Sequence, residues 1–70
     1  MNFILAFDKV INTREYRLND FYMACVNDIY ESYHSGDSKD QWISILHNYK
    51  SKLTDHAFES LVDFAFTIER

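Results

Sequence analysis

Proline is absent from the 70-residue sequence, and glycine and cysteine each occur only once. Without proline, the helices of the chain can be ended only by turn and capping residues. A single cysteine excludes an intrachain disulfide, and the sequence has no Cys and His pattern with the spacing of a metal site. A domain of this length therefore depends on dense packing of its hydrophobic core or on association with another chain.

Long hydrophobic runs are also missing. The apolar segment 3–7 is interrupted by Asp8 and Lys9, far short of the length that spans a membrane. No positive charge precedes it and no small-residue cleavage site follows it, although a secretory signal needs both. Together with a single cysteine, these features predict a cytoplasmic protein that does not associate with a membrane.

Basic residues are in the minority. Seven Lys and Arg stand against eleven Asp and Glu, which gives a formal net charge of -4. A protein with a net negative charge is repelled by the phosphate backbone of nucleic acid, so we do not expect nucleic acid as the main partner. We also find no catalytic, cofactor-binding or metal-binding motif, and therefore predict a non-enzymatic protein without a cofactor or metal.

Apolar residues with helical spacing are plentiful in the second half of the chain. The segment 38–53 is predicted to be an amphipathic helix that begins with a capping box formed by Ser38 and Gln41. A further helix is predicted over 55–69, with Thr54 or Asp55 as its N-cap. Because its apolar stripe is rotated by roughly 130° from the continuation of the first stripe, the two segments should form a helical hairpin.

The first half is predicted to be helical as well. One helix should end at Gly36 and begin at Asn12 or Asn19. The upstream segment 2–11 fits a short helix and also an alternating strand, but a single strand would have no partner. One continuous N-terminal helix stays open as an alternative. We therefore predict a small all-α domain over 1–70, a three- to four-helix bundle with a C-terminal helical hairpin.

The last predicted helix has an unusually wide apolar arc of roughly 200°. Phe66 lies on this arc between Asp55 and Glu59, and Asp63 continues the acidic stripe. Either the helix is central and packed on two sides, or Val62 and Phe66 face another chain. We favour the second interpretation, and predict a protein interface formed by Asp55, Glu59, Val62, Asp63 and Phe66.

One thiol and one cluster of possible metal ligands are candidates for functional groups, but neither is predicted to be one. Cys25 lies on an apolar stripe and is predicted to be an inert core thiol. His56, Glu59 and Asp63 share a helical face, but a metal site of this kind needs ligands from a second helix.

These features predict a protein-interaction module, namely a small regulator, adaptor or inhibitor that binds a larger protein and forms a homodimer. Its small size and lack of catalytic residues suit a phage or mobile-element antagonist of a host system. The alternative is a small dimeric DNA-binding transcriptional regulator, in which Lys9, Arg14 and Arg17 of the N-terminal half contact phosphates.

Overall fold

The computed structural model describes residues 3–68, which form five α-helices and no strand. The prediction of a small all-α bundle is therefore confirmed. Four helices have nine residues or more, and α2 is a single turn that the sequence interpretation did not separate from its neighbours. In chain order the helices are α1 (Phe3–Ile11), α2 (Arg14–Arg17), α3 (Asp20–His34), α4 (Lys39–Lys50) and α5 (Asp55–Thr67).

Local side-chain caps fix where α3 and α5 begin. The Asn19 side chain accepts a hydrogen bond from the backbone N–H of Tyr22 at 3.0 Å, so Asn19 and not Asn12 starts α3. The Thr54 hydroxyl accepts the backbone N–H of Ala57 at 3.2 Å in the same way. Each cap satisfies a backbone donor that has no partner within its helix.

The single glycine ends α3 as predicted. Gly36 has a φ of 81°, a left-handed conformation that costs glycine little. Its N–H donates to Tyr33 O, and the N–H of Asp37 donates to Ser32 O, which is the Schellman pattern. Ser38 then caps α4 by position, but its side chain makes no capping hydrogen bond, so the predicted capping box is wrong in this respect.

The predicted C-terminal hairpin is formed by α4 and α5, which pack against each other. Helix α4 ends at Lys50, three residues earlier than position 53, because Lys52 and Leu53 make tight i→i+3 backbone hydrogen bonds. Helix α5 ends at Thr67, and Ile68 is extended. The predicted end at position 69 lies outside the described residues.

One hydrophobic cluster joins α1, α3, α4 and α5, whereas the short helix α2 buries no residue. Trp42 and Tyr22 are the largest side chains that are completely buried. The aromatic ring of Phe3 packs against that of Phe64 at 5.5 Å between centroids, which attaches α1 to α5. The buried hydrophobic residues are Phe3, Ala6, Val10, Tyr22, Cys25, Val26, Ile29, Trp42, Leu46, Ala57, Leu61, Phe64, Ala65 and Ile68.

The N-terminal segment Phe3–Ile11 forms a helix rather than a strand, and this helix is not continuous with α3. The chain turns at Thr13, whose hydroxyl donates to the carbonyl of Lys9 at 2.9 Å. The helical spacing of Leu18 and Phe21 relative to Tyr22, Cys25 and Ile29 predicts one buried stripe, but both Leu18 and Phe21 are exposed. Leu18 is the C-cap of α2, and Phe21 lies in the first turn of α3.

Candidate protein-interaction surface

Of the five residues predicted as an interface, which we call together the outer α5 face, Asp55, Glu59 and Phe66 lie on the side of α5 that faces away from the core. Val62 packs against the edge of the core, and Asp63 lines the cleft toward α1. Asp55, Glu59, Asp63 and Phe66 are exposed, and Val62 is partly buried. The opposite side of the helix buries Ala57, Leu61, Phe64 and Ala65. Helix α5 packs against α1, α3 and α4, and it still leaves the Phe66 side chain 45% exposed.

The outer α5 face is a narrow stripe along the helix. Asp55, Glu59, Val62 and Phe66 follow one another at spacings of four, three and four residues, which aligns them over about 16 Å. Asp63 lies beside this stripe. The exposed ring of Phe66 thus lies at one end of an acidic stripe, on a helix whose position is fixed by its buried side.

All the charged side chains of the outer α5 face are negative. Helix α5 contains no Lys or Arg, so no cation on the helix itself offsets the three carboxylates. Asp55 lies in the first turn, where the helix dipole favours a negative charge, but Asp63 gains nothing from the dipole. The like charges at i, i+4 spacing cost a few tenths of a kcal/mol per pair. A basic partner would remove this cost.

A cleft of about 380 Å³ separates α5 from α1 and α2. Its lining residues Tyr16, Tyr22 and Ser60 make side-chain hydrogen bonds within the chain, because Tyr16 Oη bonds to His56 Nε2 at 3.1 Å and Tyr22 Oη bonds to Ser60 Oγ at 2.9 Å. Lys9 and Asp63 also line the cleft. The rings of Tyr16 and Tyr22 stack at 4.4 Å. These contacts attach α2 to the core.

A second groove of about 420 Å³ lies between α3 and α4. Tyr49 Oη donates to Asp28 at 2.7 Å, and Ser32 Oγ donates to Asp37 at 2.8 Å. Both carboxylates therefore stabilise the fold by accepting hydrogen bonds. Within residues 3–68, no three His, Cys, Asp or Glu side chains lie close enough together to hold a metal ion.

Most basic residues of the described chain lie in two regions, and Lys39 lies apart from them over the ring of Trp42. Lys52 lies over the ring of Phe21 at 5.3 Å, and Lys50 lies over the ring of Phe58 at 5.6 Å, so these cations cover aromatic surface. Arg14 and Arg17, which the DNA-binding hypothesis uses, are exposed on α2. Lys9, the third basic residue of that hypothesis, is exposed on α1 at the wall of the cleft.

Three weakly acidic groups are held in their neutral form. Burial raises the pKa of the Cys25 thiol from 9.0 to about 12, with a further contribution from the charge of Asp28. Burial also raises the pKa of Tyr22 from 10.0 to about 12. The pKa of Tyr49 rises from 10.0 to about 12 because its hydroxyl donates to Asp28.

We expect these raised pKa values to make the domain unfold in alkali. Below pH 9 all three groups are neutral in both states, so they leave stability unchanged. Above pH 9 the unfolded chain loses protons from Cys25 and then from Tyr22 and Tyr49, while the folded chain keeps them until about pH 12. The helical circular dichroism signal should therefore fall between pH 9 and pH 12. A Cys25→Ala variant should begin to unfold closer to pH 10, and an unchanged signal at pH 12 would contradict the expectation.

No family model, no curated protein and no solved structure matches the chain. None of the described helices combines the length and apolar composition needed to cross a membrane.

Proposed function

We propose that this protein is a cytoplasmic, non-enzymatic interaction module whose outer α5 face binds a larger protein with a basic, partly apolar surface. The observation that carries the proposal is the Phe66 ring, which is 45% exposed although α5 contacts three other helices. Aromatic residues surrounded by polar groups are typical energetic centres of protein interfaces.

Rigidity supports this role. The N-cap at Thr54 fixes the start of α5, and its buried side anchors the helix in the core. Phe66 is therefore presented without the ordering of a loop, which reduces the entropy lost on binding. The partly buried Val62 supplies apolar area next to it.

Charge defines the class of partner. Asp63 lies one turn before Phe66, and Asp55 and Glu59 extend the negative charge toward the start of the helix. Complementary charges mainly increase the rate of association and exclude wrong partners. A partner with Lys and Arg around a hydrophobic pocket meets both requirements. Binding should weaken as salt is raised, because these carboxylates are exposed to solvent.

The biological role that suits such a module is that of a small regulator, adaptor or inhibitor. An inhibitor encoded by a phage or mobile element, which covers a basic site on a host protein, is one form of this proposal. Its residues would act only by occupying surface, so no catalytic group is needed.

We expect Phe66→Asp to abolish partner binding while the fold is kept. The experiment is capture of host proteins by the full chain, followed by calorimetric titration of the captured protein. If the Phe66 side chain contributes about 2–4 kcal/mol to the binding free energy, as central interface residues do, its replacement should weaken the affinity roughly 30- to 1,000-fold. Circular dichroism confirms that the helices are intact.

The matched control is Phe21→Asp, because Phe21 has nearly the same exposure, 48% against 45%, but lies on α3. It should bind like the wild type. Capture that is equally strong with Phe66→Asp would contradict the proposal. Retention on duplex DNA that falls steeply with salt and is lost in an Arg14→Glu, Arg17→Glu variant would instead favour DNA binding.

A further inference from the structure

The cleft that separates α5 from α1 and α2 combines an apolar floor with charged walls. Its floor is formed by the buried residues Ala6, Val10, Tyr22 and Phe64. Its volume of about 380 Å³ is that of a small-molecule site, and such sites are mostly apolar with a few polar groups that orient the ligand. This composition suits a small molecule that has an apolar part and a polar end.

The walls of the cleft carry one charge of each sign. Lys9 lines the cleft from α1, and Asp63 lines it from α5. Both residues belong to the described part of the chain, and no salt bridge joins their side chains. The ammonium group of Lys9 and the carboxylate of Asp63 are therefore both available to a bound molecule.

Two threonines of the cleft lining hold the backbone at these two positions. Thr13 Oγ1 donates to the carbonyl of Lys9 at 2.9 Å, and Thr67 Oγ1 donates to the carbonyl of Asp63 at 2.7 Å. The other hydroxyl groups of the lining are hydrogen-bonded within the chain as described above. The two charged side chains are thus the groups of the cleft that remain to recognise an ionic ligand.

The opposite signs of the two walls select the ligand. An anion would be attracted by Lys9 and repelled by Asp63, and a cation would meet the reverse. A molecule that carries both charges satisfies both walls at once, because its carboxylate can accept from Lys9 and its ammonium group can donate to Asp63. Hydrogen bonds between ionised groups of this kind are roughly twice as strong as those between neutral groups.

We propose that this cleft binds a free α-amino acid with an apolar side chain. Lys9 holds the carboxylate of the ligand, Asp63 holds its ammonium group, and the ligand side chain packs on the apolar floor. The stacked rings of Tyr16 and Tyr22 line the cleft beside α2 and add aromatic surface for that side chain.

This inference does not depend on the proposed function, although Asp63 belongs to both surfaces. Amino-acid binding is measured on the chain alone, whereas the proposed function is tested by capture of a protein partner. Phe66, which carries the proposed function, is not among the residues that line the cleft. Either test can therefore fail while the other succeeds.

The test is titration of the full chain with L-leucine, L-methionine and L-phenylalanine, followed by two-dimensional NMR of the backbone amides. At least one of these amino acids should cause saturable shifts at Ala6, Thr13 and Ser60, with a dissociation constant of about 1 mM or lower. Absence of saturable shifts with all of them would overturn the proposal.

Derivatives of the amino acid that binds test the two charges of the ligand. The N-acetyl derivative lacks the ammonium group, and the amide lacks the carboxylate. Each should bind about tenfold more weakly or worse, since each loses one charge-assisted hydrogen bond. An N-acetyl derivative or an amide that binds as well as the free amino acid would contradict the assignment of a ligand with both charges.

Charge variants of the chain test the two walls. Asp63→Asn and Lys9→Gln should each weaken binding of the amino acid about tenfold or more, because one ionic partner of the ligand is lost. The matched control is Asp8→Asn, which removes an exposed carboxylate next to Lys9 that does not line the cleft. It should bind like the wild type, and the same spectra show whether each variant keeps the native fold. If Asp8→Asn weakened binding as much as Asp63→Asn, the effect would be one of overall charge and the proposed role of Asp63 would be wrong.

Discussion

Replacing Trp42 with alanine is expected to remove a large part of the free energy of unfolding of the domain at 25 °C. The Trp42 side chain is completely buried, and its ring lies 6.3 Å from that of Tyr33. Removing a buried aromatic side chain costs about 3–5 kcal/mol, because the apolar transfer free energy is lost and a cavity remains. A domain of this size has a free energy of unfolding of only about 4–10 kcal/mol. Urea denaturation followed by circular dichroism measures the loss.

The next residue in the chain provides the control for this substitution. Ile43 is also hydrophobic and also lies on α4, but it is 39% exposed. Ile43→Ala should change the free energy of unfolding by less than about 1 kcal/mol, since it leaves no closed cavity. If the two variants were equally stable, Trp42 would not be at the centre of the core.

Native Cys25 is expected to react with a thiol reagent at least a thousand times more slowly than the same thiol in the unfolded chain. A pKa of about 12 in place of 9.0 lowers the fraction of reactive thiolate at neutral pH by about a thousandfold. The side chain is also 0% exposed, which keeps the reagent away from the thiol and slows the reaction of the folded chain further. Labelling with the thiol reagent, quenched after set times in the presence and absence of urea, measures both rates.

A cysteine at the neighbouring, exposed position tests whether burial is the cause of the slow reaction of Cys25. Ala24 is exposed on the same helix, and an Ala24→Cys, Cys25→Ala variant should label rapidly in the native state. Fast labelling of native wild-type protein would show that Cys25 is accessible and would contradict the assignment of an inert core thiol.

The parts of the fold that were predictable from the sequence depend on local interactions. The caps at Asn19 and Thr54 and the left-handed glycine at position 36 act within a few residues, so the start of α3 and α5 and the end of α3 could be foreseen. The exposure of Phe66 was also foreseeable, because its place on the helical wheel lies among carboxylates.

The parts that were missed depend on how helices meet. The bond between Tyr16 and His56 joins residues 40 positions apart, and no periodicity in the sequence indicates it. Phe21 belongs to the apolar stripe by spacing, yet its ring is covered by the Lys52 ammonium group and not by the core. Such outcomes follow from the docking of α2 and of the α4–α5 turn, which local patterns do not encode.

The contact between Phe3 and Phe64 has a consequence for how the chain folds during synthesis. These rings lie near opposite ends of the described chain, so this contact can form only after α5 has left the ribosome. Until then α1 can pack only against α2 and α3, where Phe3 contacts Tyr30 and Tyr33, and its remaining exposed apolar surface favours aggregation. Folding should therefore be completed after translation, and a nascent chain that stops before α5 should depend on chaperones.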